Sequence, residues 1–189
     1  HPALDRRSLR SLIDGLFATD FHDLRSTGIA ILERERELLR GTDLPWLIEL
    51  VRRSANWAHV DWLSTKVVGF VISAVRPGAR SKILRSWARS PDLWTRRAAL
   101  LAQLDELRAG RGDFALFAAL AAPMLGEREF FIRKAIGWVL RDVSRKRPEL
   151  AFDFLLRHRG QVSGLTFREG SRGLPAGLRA ELESPVRSG

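Results

Sequence analysis

Residues 130–143 read FFIRKAIGWVLRDV, and this stretch predicts a long amphipathic helix. At 3.6 residues per turn, its apolar side chains recur on one face, which we expect to pack against a core: Ile132, Ile136, Val139, Leu140 and Val143. The opposite face holds a single Trp in a row of cations, formed by Lys134, Trp138, Arg141 and Arg145. Such a face could bind a polyanion through its cations and could contact a flat or cationic group of that polyanion through the Trp. The alternative is a half-buried Trp with ordinary surface charges around it.

A similar pattern occurs 37 residues earlier in the chain. Residues 94–99 read WTRRAA and residues 131–136 read FIRKAI, so both have an aromatic residue, two basic residues and an Ala in the same order. A weaker echo begins at Trp62 and continues at residues 66–69. Repetition at this spacing is typical of solenoids, in which each helical unit buries its apolar face by stacking on its neighbours. We therefore predict an all-α fold, a HEAT-like (ARM-type) helical-repeat superhelix.

The rest of the chain also favours helices joined by short turns. We expect them at about residues 8–17, 20–40, 43 onward, 58–75, 79–89, 90–108, 114–125, 127–146 and 149–157, with a short one near Arg168 capped by Ser163. Pro77-Gly78 is expected to end the helix at residues 58–75. We assign one domain to residues 1–170 and a flexible C-terminal tail to residues 171–189, which are rich in Gly, Pro and Ser. Because the chain starts at His1 rather than Met, we expect this domain to be N-terminally incomplete.

The composition narrows the classes of protein that remain. A chain of 189 residues with 45% hydrophobic residues can bury a core, which excludes a disordered protein. Cysteine is absent, which excludes disulfides, thiol nucleophiles and thiolate metal sites. The longest apolar run, residues 114–125, is too short to cross a bilayer, and no signal peptide opens the chain. We expect a cytoplasmic protein without a membrane partner.

The net charge of +10 is unevenly distributed. Residues 1–50 carry 7 basic and 9 acidic side chains, whereas residues 51–189 carry 25 basic and 13 acidic ones. Of the 32 basic residues 28 are Arg, whose guanidinium suits bidentate phosphate contact, although a GC-rich genome also enriches Arg. The charge therefore favours a nucleic-acid partner.

One pair of residues could carry chemistry. Trp57 and Asp61 are four apart and share a helix face that continues through Thr65 and Val68, so this carboxylate has largely apolar neighbours. A buried Asp is rare unless it is paired or functional, but Asp61 could also stabilise the first turn of its helix through the helix dipole. No phosphate loop or nucleophile elbow is present, and the four His residues lack metal-ligand spacing: His1, His22, His59 and His158.

Three blocks of sequence carry a family resemblance. Residues 130–141 (FFIRKAIGWVLR), 94–101 (WTRRAALL) and 163–169 (SGLTFRE) resemble, in this order, the DNA alkylation repair enzyme family, the AlkD-like DNA glycosylases. The resemblance implies a superhelix of HEAT-like repeats with a concave basic face for duplex DNA. It also implies excision of positively charged N3- and N7-alkylated purines without a metal. We further expect a monomer without a cofactor, which binds double-stranded DNA containing alkylated bases and is nucleoid-associated when bound.

The resemblance also assigns roles to residues. Asp61 matches the catalytic carboxylate, and Trp57 and Trp138 match the aromatic walls that hold the lesion nucleotide. Arg97 and Arg141 match positions that contact the DNA backbone, and we expect Lys134 and Arg145 of the same cationic row to do so too. Relative to the family, the chain lacks the first helices and has Gly170 where a helix-favouring residue is usual.

A carboxylate with neighbouring Trp residues is well suited to the excision of a cationic purine. An N3- or N7-alkylated purine is already cationic, so it can leave without a strong general acid. The remaining barrier is the oxocarbenium-like sugar, which an ionised carboxylate stabilises while it orients water. Trp faces suit a cationic base. Two alternatives remain, a non-catalytic HEAT-like binder of distorted DNA and a protein–protein scaffold.

Overall fold

The computed structural model describes residues 4–184, which form helices joined by short turns and contain no β-strand. The helices are α1 (Arg6–Phe17), α2 (His22–Arg34), α3 (Leu44–Ser54), α4 (Trp57–Trp62), α5 (Gly69–Ser73), α6 (Pro77–Ala88), α7 (Leu93–Leu101), α8 (Leu104–Arg108), α9 (Phe114–Ala121), α10 (Phe130–Ser144), α11 (Pro148–Arg157), α12 (Gly164–Ser171) and α13 (Ala176–Glu183). The predicted all-α class is therefore confirmed. None of the described helices has both the length and the apolar character needed to cross a membrane.

The chain divides into two compact units, unit 1 (His1–Ala102) and unit 2 (Gln103–Gly189). This division falls inside the single domain that we predicted for residues 1–170. The segment after Gly170, predicted to be a flexible tail, contains helix α13, and Leu182 in this helix is fully buried. Residues 185–189 of the predicted tail lie outside the described residues.

Unit 1 is organised around a helical run over residues 57–73, made of α4, a π-helical segment (Leu63–Val68) and α5. The run packs against α2, α3 and α7. It begins after a sharp turn in which Ala55 adopts a left-handed conformation (φ 45°) and Asn56 caps α4 by accepting a hydrogen bond from the backbone N–H of Ala58 at 2.8 Å. The π-helical segment begins two residues after Asp61, and such segments are frequent at functional sites.

Unit 2 is organised around α10, which packs against α8, α11 and α12. The five apolar side chains predicted to face the core are fully buried, which confirms the helix face: Ile132, Ile136, Val139, Leu140 and Val143. Burial of each such side chain stabilises the fold by roughly 1.5–3 kcal/mol. Helices α10 and α12 approach closely at Gly137, where a Cβ atom would lie 2.6 Å from the Cβ of Glu169.

Several predicted helix bounds were wrong. The predicted helix 20–40 ends at Arg34, because the chain then forms a 3-10 turn and becomes extended at Leu39. The predicted break between helices is present, but it falls at residues 74–76, and Pro77 begins α6, where its missing N–H leaves no hydrogen bond unmade. The predicted helix 90–108 is split into α7 and α8, and the predicted helices 114–125 and 127–146 are shorter than expected.

A matched pair of glycine substitutions tests the close approach of α10 and α12. We expect Gly137→Ala to lower the free energy of unfolding by about 1–3 kcal/mol, because the new methyl group must displace α12. Gly15→Ala, in α1, meets nothing within 4 Å and should raise it by about 0.5–1 kcal/mol. Urea denaturation of both variants measures the two changes in the free energy of unfolding. Equal changes would contradict the close approach of α10 and α12 at Gly137.

Candidate functional site

Asp61, on α4, forms a bidentate ion pair with Arg97, on α7. Nε of Arg97 donates to Oδ1 of Asp61 at 2.7 Å, and Nη2 donates to Oδ2 at 2.8 Å. The side chain of Asp61 is 13% exposed and that of Arg97 is 3% exposed. The expectation of largely apolar surroundings was therefore wrong. The helix-dipole alternative is also wrong, because α4 has no acidic residue in its first turn.

The ion pair fixes the carboxylate of Asp61 in one orientation while leaving part of it accessible. A guanidinium that binds both carboxylate oxygens restricts rotation of the group, and each oxygen keeps a further lone pair. The same contact turns the guanidinium of Arg97 towards Asp61 and away from solvent. This differs from the expected phosphate contact, because a side chain that is 3% exposed presents almost no surface to DNA.

Trp57 lies at the start of α4, four residues before Asp61, and is 57% exposed. It is the largest side chain among the exposed hydrophobic residues of the described chain. Trp62 of the same helix is held differently, because its Nε1 donates to Glu33 at 2.6 Å. Helix α4 therefore presents an exposed indole at its first residue and an oriented carboxylate four residues later.

A histidine cluster lies on the same helix. His59 is 2% exposed, stacks on His22 of α2 with a ring-centroid distance of 4.3 Å, and its Nε2 lies 2.9 Å from Oγ of Ser26. Burial lowers the pKa of His59, and the charges of His22 and Arg25 lower it further. His22 and His59 lack metal-ligand spacing in the sequence, but their offset equals that of the 37-residue repeat.

Among the described residues, no three side chains of the metal-ligating types lie close enough to share an ion.

In unit 2, two cations of the predicted row share one carboxylate. Nζ of Lys134 lies 2.8 Å from Oε1 of Glu169, and Nη1 of Arg141 lies 3.0 Å from Oε2. The hydrogen bond from Lys134 lowers the pKa of Glu169, as do the charges of Lys134, Arg141 and Arg172. The row is therefore partly neutralised from within the protein. Arg145 of the same row is exposed.

Trp138 is half-buried, as the alternative stated for this helix face expects. Its Nε1 donates to Oδ2 of Asp142 at 3.2 Å. Asp142 is 3% exposed at its side chain and also accepts from Nε and Nη2 of Arg108 at 2.8 and 2.6 Å. The indole is thus tied to a buried carboxylate on its own helix. The role of Trp138 as a wall for a lesion stays a prediction.

The two copies of the sequence repeat occupy equivalent places in their helices. Trp94 is the second residue of α7 and Phe131 is the second residue of α10. Arg97 and Lys134 follow at the same offset, and each binds a carboxylate on a neighbouring helix. This equivalence supports the repeat inferred from the sequence.

Comparison with known proteins supports the family resemblance that the sequence carries. A sequence model of the DNA alkylation repair enzyme family matches residues 2–174 of this chain. No curated protein matches the sequence.

Solved structures show a similar fold at low sequence identity. A predicted DNA alkylation repair enzyme from Enterococcus faecalis is 22% identical, with a TM-score of 0.77 over 90% of this chain and 78% of that chain. AlkD2 from Streptococcus mutans is 19% identical, with a TM-score of 0.68 over 91% of this chain and 84% of that chain. A further protein, smu.31 from Streptococcus mutans UA159, is 18% identical, with a TM-score of 0.66 over 90% of this chain and 86% of that chain. These matches confirm the predicted helical-repeat fold.

The buried His59 makes the stability of unit 1 depend on pH. Because its pKa is lowered in the folded state, the unfolded chain takes up a proton at about pH 6.5 that the folded chain does not. We therefore expect the urea midpoint to be highest above pH 7 and to fall as the pH drops from 7.5 to 5.5. His59→Gln should flatten this dependence, whereas His158→Gln in unit 2 should leave it unchanged. An unchanged slope in His59→Gln would contradict the assignment.

Proposed function

The chain belongs to the DNA alkylation repair enzyme family, and from this membership we propose that it is a monofunctional DNA glycosylase. Its proposed substrates are positively charged N3- and N7-alkylated purines in duplex DNA. The observation that carries the proposal is the carboxylate of Asp61, which Arg97 orients and which lies one helical turn from the exposed indole of Trp57.

The proposed reaction breaks the N-glycosidic bond, and the bonding electron pair leaves with the purine. Because the alkylated purine is cationic, it departs as a neutral base and needs no proton from the protein. Positive charge then develops on the sugar, where the carboxylate of Asp61 stabilises it and orients the attacking water. The water oxygen bonds to the sugar carbon and releases one proton to the solvent.

Arg97 contributes to this chemistry as a positioning residue. A preorganised charge stabilises a transition state without the cost of reorienting during the reaction. The bidentate contact supplies that preorganisation, because both oxygens of Asp61 are held by one buried guanidinium. Trp57 would contribute an aromatic face for the cationic lesion, which is worth roughly 0.5–2 kcal/mol for such a contact.

Unit 2 supplies the second proposed set of DNA contacts. Trp138 would present an aromatic surface to the lesion nucleotide, and three cations would contact the backbone: Lys134, Arg141 and Arg145. The excess of basic residues in 51–189 supports an electrostatic attraction to duplex DNA. Glu169 limits this attraction because it pairs with two of the three cations.

Asp61→Asn tests the chemistry. We expect base release from alkylated duplex DNA to fall by at least two orders of magnitude under single-turnover conditions, in the range typical of removing a key electrostatic group. DNA affinity should stay within a few fold, because the side chain keeps its shape. Released base is measured by chromatography, and the rate is divided by the folded fraction.

This correction for folding is necessary because Asp61→Asn leaves the buried Arg97 without its anionic partner. Asp43→Asn is the matched control. Asp43 is also in unit 1, is 3% exposed at its side chain and pairs with Arg6 at 2.7 Å. The Asp43→Asn variant should be less stable than the wild type, but its folded fraction should keep the wild-type excision rate.

Equal excision rates of the wild type and Asp61→Asn would contradict the proposed role of Asp61. Binding without any excision by the wild type would favour the non-catalytic DNA binder, and no binding would favour the protein scaffold.

The salt dependence of DNA binding tests the cationic row. Each phosphate neutralised by a cation contributes about −0.9 to the slope of log affinity against log salt. Arg145→Gln should therefore flatten the slope by roughly one unit. Glu169→Gln should raise affinity and steepen the slope, because it releases two paired cations. Fluorescence anisotropy with an undamaged duplex measures both effects.

Arg179→Gln is the control for this measurement. Arg179 lies on α13, and its charge is already paired with Glu183 at 3.2 Å. Its loss should leave the slope unchanged. If Glu169→Gln instead weakens binding, the carboxylate orders the cations for DNA and does not compete with it.

A further inference from the structure

We propose that Asp142 is a positioning residue that fixes the indole of Trp138, and that Arg108 in turn holds Asp142. The consequence for excision rests on the proposed function, but the geometry on which it depends lies entirely within unit 2. Asp142 lies within residues 130–143, and the sequence pattern of that helix gave it no role.

Three N–H groups converge on one oxygen of Asp142. Oδ2 accepts from Nη2 of Arg108 at 2.6 Å, from Nε of Arg108 at 2.8 Å and from Nε1 of Trp138 at 3.2 Å. The side chain of Asp142 is 3% exposed. A carboxylate buried to this extent is stable only when it is paired, so removal from its partners is costly. The ion pair with Arg108 therefore makes Asp142 a rigid acceptor.

This rigid acceptor restricts the indole. Trp138 and Asp142 are four residues apart on α10 and so lie on the same helix face. An indole has a single N–H, and a hydrogen bond from it selects one of the orientations that the ring can take about its side-chain torsions. The attraction between a cationic base and an aromatic ring depends on the position of the cation over the ring face. An indole held in one orientation therefore favours stacking against a cationic base.

The other oxygen of Asp142 lies beside a second residue of the proposed DNA face. Oδ1 is 3.7 Å from Nε of Arg141, and this Nε is buried without a hydrogen-bond partner within the described part of the chain. The guanidinium of Arg141 is held at its far end by Glu169. Asp142 therefore lies between the indole and the guanidinium that we propose to contact DNA.

Asp142→Asn tests this inference because Asn has nearly the same shape but no charge to hold Arg108. We expect the single-turnover excision rate to fall by up to about a hundredfold, as for a misplaced contact group. Affinity for undamaged duplex should change little. In a Trp138→Phe background, which lacks the indole N–H, Asp142→Asn should cause little further loss. Additive losses in this double-mutant cycle would overturn the inference.

Asp105→Asn is the matched control. Asp105 lies 3.3 Å from Nη1 of the same Arg108 and is 43% exposed at its side chain. Its replacement removes a carboxylate from Arg108 while leaving the contact between Asp142 and Trp138. We expect its excision rate to match that of the wild type, so a loss equal to that of Asp142→Asn would indicate a general effect of Arg108 on the fold.

Fluorine NMR gives a readout that does not depend on excision. In protein labelled with 5-fluorotryptophan, the Trp138 resonance is identified by its absence in Trp138→Phe. It should shift or broaden in Asp142→Asn and stay in place in Asp105→Asn. An unchanged resonance in Asp142→Asn would overturn the positioning role. If the wild type releases no base, the proposed function fails, and the resonance still decides the role of Asp142.

A second variant guards against failure of Asp142→Asn to fold. Arg108→Lys keeps the positive charge but loses the planar fork that donates twice to Oδ2. It should move the Trp138 resonance in the same direction as Asp142→Asn, by a smaller amount. A resonance identical to that of the wild type would contradict the role given to Arg108.

Discussion

The bidentate ion pair between Asp61 and Arg97 is the interaction on which the candidate site of unit 1 depends. It connects α4 to α7, and it places a charged carboxylate where the side chain is only 13% exposed. Neither partner could be buried alone without a large desolvation penalty. The pair therefore serves the fold and the proposed chemistry together, because the contact that makes burial of Asp61 possible also sets its orientation.

Pairs of this kind recur through the chain and change how its charge should be interpreted. Buried or half-buried carboxylates hold cations in four places: Asp43 with Arg6, Asp61 with Arg97, Asp142 with Arg108, and Glu169 with Lys134 and Arg141. Cations engaged in this way are less available to phosphates than their number implies. A net charge of +10 therefore overstates the strength of a DNA surface, because part of that charge is used in ion pairs between segments that are distant in the sequence.

The proposed reaction demands little of the protein, and this agrees with the simplicity of the site. A leaving group that is already cationic needs no general acid, so one oriented carboxylate and an aromatic face suffice. Unit 1 provides both in Asp61 and Trp57. In both units a buried partner holds a side chain of the proposed site: Arg97 holds Asp61, and Asp142 holds Trp138. Such contacts preorganise the side chains, as the proposed reaction requires.

The sequence by itself determined the helical class, the repeat and the buried face of residues 130–143, because helical periodicity is a local property of neighbouring residues. It also singled out Asp61, through its spacing from Trp57. Only the tertiary structure decided that Arg97 binds Asp61 from 36 residues away and that Trp138 is half-buried against Asp142. Such partners are chosen by which helices pack together, and a helix face shows that a residue is buried without showing which residue of another helix will meet it.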